Sequence, residues 1–135
     1  IAAVREEERG VVITLSCSVL FASGKHALLN TAMVKLDQVA AALMAQDPSK
    51  RIVVEGHTDS RGSTETNLPL SMNRATAVRD YLVSRGVAAE KISAMGMGSN
   101  KPITDNKSAD NRANNRRVEI VINPDQGLRS EQGGY

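Results

Sequence analysis

The pattern that most constrains this chain is an alternation between two hydrophobic periods. Across residues 25–46 the apolar residues Leu29, Met33, Leu36, Val39, Ala40 and Leu43 recur at helical spacing and form one core-facing stripe. Asp47-Pro48-Ser49 stops that run. Residues 51–55, centred on Ile52-Val53-Val54, are short and β-branched, as a buried central strand would be. A second helical stripe follows at Ala75, Val78 and Leu82, and Gly86 ends it as a C′ glycine. Pro69 is tolerated only in a first helical turn, which places that helix start at about Asn67 or Leu68.

Shorter signals complete the order. Residues 11–15 read as a first strand, residues 91–95 as a third and residues 118–122 as the last. Residues 16–24 read as a strand end plus loop, with Phe21 as its one large apolar anchor. Ser108 is placed to cap a short helix running to Asn114. The resulting β-α-β-α-β-(short α)-β order predicts an α+β two-layer sandwich. Two long helices would pack on one face of a mixed four-stranded sheet.

With 135 residues the chain is expected to be one domain around a single core. Residues 1–10, where Glu6-Glu7-Glu8 is flanked by Arg5 and Arg9 before Gly10, read as a helical or flexible linker. Residues 11–123 read as the folded domain, and the polar, Gly-rich residues 124–135 as a flexible tail. The chain begins with Ile, so it is expected to be a fragment or a processed product. No apolar run approaches the roughly 18 residues of a membrane-spanning helix.

Composition removes several function classes. Aromatic residues make up only 2%, with no Trp, which argues against stacking on single-stranded nucleic acid or on sugars. The formal net charge of +2 is too small to imply a polyanion partner. The single Cys17 cannot form an internal disulfide and reads as a small buried residue.

The residues able to carry chemistry centre on Gly56-His57-Thr58-Asp59-Ser60-Arg61-Gly62-Ser63. Asp59 lies just past a strand end, in a loop flanked by glycines. Arg74 lies in the first turns of the following helix. A carboxylate and a guanidinium so placed either pair with each other or hold a ligand that carries both an ammonium and a carboxylate. Spacing alone favours the ion pair. Helix-start amides would add positive potential for an anion, and Thr58, Asn67 and Ser71 offer neutral hydrogen bonds or caps.

His57 and His26 are the only histidines, and no Cys pair accompanies them, so no metal site is expected. His57 is expected to end its strand with a satisfied ring nitrogen. Ser60 and Ser63 sit in no Gly-x-Ser-x-Gly elbow, and the glycines match no phosphate loop. No catalytic residue and no cofactor are assigned. Arg112, Arg116 and Arg117 form a basic cluster before the last strand. Strand alternation allows at most one of Arg116 and Arg117 to reach the Asp59 site.

Several of these pieces together resemble the OmpA-like C-terminal domains. The resemblance covers residues ~11–122. It rests on Val19-Leu20-Phe21, on Val54-Glu55-Gly56-His57-Thr58-Asp59 and on Asn67-x-x-Leu70-Ser71-x-x-Arg74-Ala75-x-x-Val78. It continues through Gly96-x-Gly98, Pro102 and Asn115-Arg116-Arg117-Val118-Glu119-Ile120. Peptidoglycan-associated lipoproteins and flagellar stator subunits carry related domains. The resemblance implies non-covalent, non-catalytic binding of peptidoglycan through the meso-diaminopimelate residue of its stem peptide. Asp59 and Arg74 would hold that residue, with Phe21, Ala22, Thr58, Asn67, Leu70 and Arg116 around them. It further implies a periplasmic domain of a membrane-anchored parent, with no nucleic-acid partner and with a homodimer left open. Many relatives carry Asp directly after the Phe, where this chain has Ala22. The alternative is an envelope protein-assembly domain with weak or lost wall binding.

Overall fold

The computed structural model describes residues 3–123. The tail expected over 124–135 lies outside those residues. Five strands form one mixed sheet: β1 (Ala3–Glu7), β2 (Gly10–Ser16), β3 (Ile52–His57), β4 (Ile92–Gly96) and β5 (Arg117–Ile122). Their spatial order is β1-β2-β5-β3-β4, antiparallel throughout except for the parallel β3–β4 pair. Four helices accompany them: α1 (Cys17–Leu20), α2 (Asn30–Met44), α3 (Thr64–Ser84) and α4 (Ala109–Asn115).

The core lies between one sheet face and the two long helices. Leu15, Ile52, Val54, Ile92, Val118, Ile120 and Ile122 meet Leu36, Val39, Ala40 and Leu43 of α2 and Ala75, Val78 and Leu82 of α3. The two helical stripes and the β-branched runs are therefore the core faces the sequence indicates. The α+β sandwich stands as expected, with one strand more than four.

The extra strand is β1, where the sequence reads a linker. It is exposed along most of its length and lacks the apolar alternation that announces a half-buried strand. The backbone ladder to β2 carries it, and charge at the turn adds to that. The Arg9 guanidinium in the β1–β2 turn donates to Glu7 Oε1 at 3.0 Å, to Glu55 Oε1 at 3.0 Å and to Glu119. Glu55 and Glu119 are direct cross-strand partners on the outer sheet face. Like charges so placed repel, and Arg9 together with Arg117, 2.7 Å from Glu119, neutralises them. Burial pushes both carboxyls up. Hydrogen bonds outweigh it, from His57 and Arg9 on Glu55 and from Arg117 and Arg9 on Glu119, and both sit below the usual glutamate value.

Three boundaries differ from the sequence reading. Residues 17–20 form α1, capped by Ser16, rather than a strand end and loop. Helix α2 starts at Asn30, later than expected, because Phe21 bridges Leu28 and Leu29 N donates to Leu20 O at 2.9 Å. Those bonds hold the preceding residues extended. Helix α3 starts earlier, at Thr64, because Ser63 caps it through Thr66 N at 3.2 Å. Pro69 thus lies beyond the first turn, where it removes the donor to the carbonyl of Glu65, an exposed residue. Gly86, with φ 116°, follows the end of α3, and Ser108 caps α4 through Asn111 N at 3.0 Å, both as expected.

Helix α3 lies almost directly on the ends of β3 and β4. A Cβ on Gly56 would fall 2.1 Å from the Ser71 carbonyl oxygen, and one on Gly96 would fall 2.7 Å from Met72 N. Both neighbours are backbone, so neither can turn aside. Gly56→Ala should therefore lower stability by about 2 kcal/mol or more, read from the urea midpoint; a midpoint within error of wild type would contradict this close approach.

The outer-face charges predict an acid response. Glu55 and Glu119 bind protons more weakly folded than unfolded, so they contribute stability above the unfolded glutamate value near ~4.3 and lose it as pH falls below that. Arg9→Ala should cost about 1–2 kcal/mol at pH 7 and flatten the acid limb of a midpoint-versus-pH series. An unchanged limb would show that Arg9 does not hold these carboxylates.

Candidate ligand-binding site

Strand β3 ends at His57, and the chain then turns over the start of α3. Thr58 N donates to Gly98 O at 2.8 Å, which ties the strand end to the loop after β4. Ser71 Oγ accepts from Gly98 N at 3.0 Å and donates to Leu68 O at 2.8 Å, so the same loop is fixed to α3. These bonds settle the height of Asp59 relative to the helix.

Asp59 is 5% exposed. Its Oδ1 accepts from Arg61 N at 2.9 Å. Its Oδ2 accepts from Arg61 Nη2 at 3.2 Å and from Arg116 Nη1 at 2.5 Å. Burial raises the Asp59 carboxyl, but the Arg61 amide and the two guanidinium groups outweigh that and hold it below the usual aspartate value. It is an ionised acceptor at neutral pH.

Arg74 is also 5% exposed, and it does not pair with Asp59. Its Nε donates to Lys25 O at 2.8 Å and its guanidinium lies 5.0 Å from the centre of the Phe21 ring. Among the described residues no carboxylate forms an ion pair with it. The direct ion pair that spacing favoured is not formed.

Asp59 and Arg74 instead face one cavity of about 590 Å³. Phe21, Ala22, Thr58, Asn67, Leu70 and Arg116 all line it, while Ser71, also named as a possible hydrogen-bonding group, lies outside it and is bonded to Gly98 and Leu68. Asn67 Nδ2 donates to Arg61 O at 2.8 Å and so braces the Asp59 loop from α3. The cavity wall also contains Cys17, Ser18, Ser23, Gly24, Leu29 and Arg61, which the sequence reading did not assign. For Arg61 a signal existed: an Asp that accepts an amide two residues on is a common turn device, and it brings that residue beside the carboxylate. Burial pushes the Cys17 thiol up, against the opposing charge of Arg74.

The three late arginines separate. Arg116 follows α4 and reaches Asp59. Arg117 begins β5 and points to the other face, where it is buried and bonded to Glu119, Asn115 O and Lys101 O. Arg112 donates to Asn106 O at 3.1 Å. The single-residue limit set by strand alternation holds.

His57 lies on that outer face too. Its Nε2 is 3.3 Å from Glu55 Oε1, while its buried Nδ1 has no hydrogen-bond partner among the described residues. One ring nitrogen is satisfied as expected and the other is not. Ligand atoms of Glu55, His57 and Glu119 lie within 4.8 Å of one another. Arg9 already donates to both carboxylates of that group, so a guanidinium stands where a cation would be needed.

Asn115 is the least visible structural residue of the region. It is fully buried, and its side chain accepts from Ile103 N and Thr104 N and donates to Thr104 O and Asn106 Oδ1. Asn106 Oδ1 in turn accepts from Ser60 N at 3.2 Å, next to Asp59.

This arrangement meets a matching family pattern. The OmpA family pattern matches residues 20–116. The chain belongs to the OmpA family. The chain is 50% identical over 88 residues to the peptidoglycan-binding protein ArfA of Mycobacterium tuberculosis, covering 65% of this chain and 27% of that protein. It therefore spans only about a quarter of that relative's length. Among solved structures, the periplasmic domain of Helicobacter pylori MotB superposes with a TM-score of 0.84 at 26% identity, covering 98% of this chain and 88% of that one. The cell wall anchor of the T6SS from Pseudomonas aeruginosa gives 0.81 at 32% identity, covering 92% and 88%. Of these, ArfA is named as peptidoglycan-binding and the Pseudomonas aeruginosa protein as a cell wall anchor.

Within this OmpA-family frame, Asn115→Ala should loosen the loop over residues 103–106 and the Ser60 amide with it. The expected cost is about 2–3 kcal/mol, since several buried polar groups lose their partners at once. Hydrogen exchange at Ile103, Thr104 and Ser60 reads this locally; unchanged protection at all three would remove Asn115 as the brace.

Proposed function

We propose that this domain binds peptidoglycan non-covalently, through the free ammonium–carboxylate centre of a stem-peptide diaminopimelate, and so anchors an envelope protein to the cell wall. One observation carries the reading. Asp59 and Arg74 are buried, opposite in charge and unpaired with each other, yet face the same cavity. A zwitterionic amino-acid head group meets both needs at once: its ammonium goes to Asp59 and its carboxylate to Arg74. Phe21 backs the Arg74 plane, and Leu70 and Ala22 offer apolar wall to the ligand's methylene chain.

The roles of two relatives support the same reading. ArfA is named as peptidoglycan-binding, and the Pseudomonas aeruginosa neighbour as a cell wall anchor. The MotB domain is periplasmic, which supports a periplasmic domain tied to a membrane-anchored parent. With a single carboxylate and no histidine among the residues lining the cavity, the site is built for holding a ligand rather than for acid–base chemistry.

Sedimentation with insoluble diaminopimelate-type peptidoglycan tests this. Asp59→Ala and Arg74→Ala should each weaken binding by about tenfold or more, the worth of one charge-assisted hydrogen bond. Their thermal unfolding should remain cooperative. Undiminished sedimentation of both variants would sink the site assignment, and absence of wild-type sedimentation would leave the protein-assembly alternative.

A further inference from the structure

The charges around the cavity do not balance. Among the described residues lining it, Arg61, Arg74 and Arg116 face a single carboxylate, Asp59, leaving an excess of two positive charges. A free diaminopimelate centre brings one ammonium and one carboxylate, and so adds nothing to that balance. We propose that the site selects a stem peptide that is anionic overall, and that Arg61 recognises a carboxylate beyond the diaminopimelate head group. This rests on the peptidoglycan reading above and specifies the charge state of the ligand.

The geometry around Asp59 points to Arg61. Both Arg61 and Arg116 donate to the same oxygen, Oδ2, at 3.2 and 2.5 Å. An incoming ammonium competes with them there. Arg61 has the longer contact and the freer side chain, 64% exposed against 35% for Arg116, so it is the one that yields. Its backbone does not move with it. Arg61 N stays on Asp59 Oδ1 at 2.9 Å, and Arg61 O stays on Asn67 Nδ2 at 2.8 Å. The residue is thus a fixed base with a mobile guanidinium at the rim.

Once displaced from Asp59, that guanidinium is free to pair with an anion. A stem tripeptide carries such anions next to diaminopimelate, as the α-carboxylate of the γ-linked glutamate and, where no residue follows, the chain carboxylate of diaminopimelate itself. Amidation removes these charges and leaves the head group intact. The same peptide therefore exists in forms that do and do not answer Arg61.

Two synthetic N-acetylated tripeptides, alanyl-γ-glutamyl-diaminopimelate with the two outlying carboxylates free or both amidated, separate the cases by calorimetric titration. At low salt the acid form should bind wild type about three- to tenfold tighter, with the ratio shrinking as salt rises. In Arg61→Gln the ratio should fall to about twofold or less, with amide spectra confirming the fold. Equal affinities for the two peptides in wild type would overturn the proposal while leaving the diaminopimelate reading intact. An unchanged ratio in Arg61→Gln would overturn the role of Arg61. Binding of neither peptide would overturn the diaminopimelate reading, and this inference with it.

Discussion

The structure depends on how closely α3 lies on the sheet. Gly56 and Gly96 leave no side chain where the helix crosses, and Ser71 and Met72 fill that space with backbone. The consequence is positional. A helix held off by even one methyl group would lift Asn67, Leu70 and Arg74 away from the strand end that carries Asp59. The contact also fixes Gly98, which Ser71 binds from the helix and Thr58 from the strand. Packing density at two glycines thus becomes the distance between two opposite charges, and that distance is what a head group with two charges would measure.

The central strand β5 divides the remaining electrostatics between two faces. Val118, Ile120 and Ile122 enter the core. Arg117, Glu119 and Val121 face away, and all three are buried although they lie opposite the helices. There Glu119 meets Arg117, and Arg9 reaches in from the β1–β2 turn. Just before the strand, Arg116 goes to Asp59 instead. Neighbouring arginines therefore serve unrelated purposes: one completes a cavity wall, the other neutralises a buried carboxylate.

The cavity and the outer face also treat their carboxylates differently. Glu119 is nearly sealed and is held by the buried Arg117 and by Arg9, which reaches in from the surface. Asp59 is held by two guanidinium groups that are both partly in water. Arg74 has no carboxylate of its own among the described residues. A structural ion pair satisfies itself; this pair of sites is satisfied only in part, and the unsatisfied part is where a ligand gains most.

The sequence by itself determined the elements whose signals are local. Helical stripes, β-branched runs, the caps at Ser108 and Gly86 and the residues Asp59 and Arg74 all follow from short-range pattern. The limit of one such residue at the site also followed from the two-residue period of a strand, although Arg116 reaches Asp59 from the end of α4. What tertiary structure alone decided has long-range causes. β1 carries no apolar alternation; it is placed by its ladder with β2 and by Arg9 of the turn reaching carboxylates on β3 and β5. The late start of α2 comes from Phe21 and Leu28 meeting across a loop. The hydrogen bonds of Asn115 are made to a loop about ten residues away, and nothing in its own neighbourhood announces them. Most consequentially, the partners of Asp59 and Arg74 were fixed in space. Residue types allowed an ion pair between them, but the fold gave Asp59 to Arg61 and Arg116 and left Arg74 on Phe21. Pairing between charges depends on three-dimensional distance and competing donors, which spacing along a chain does not specify.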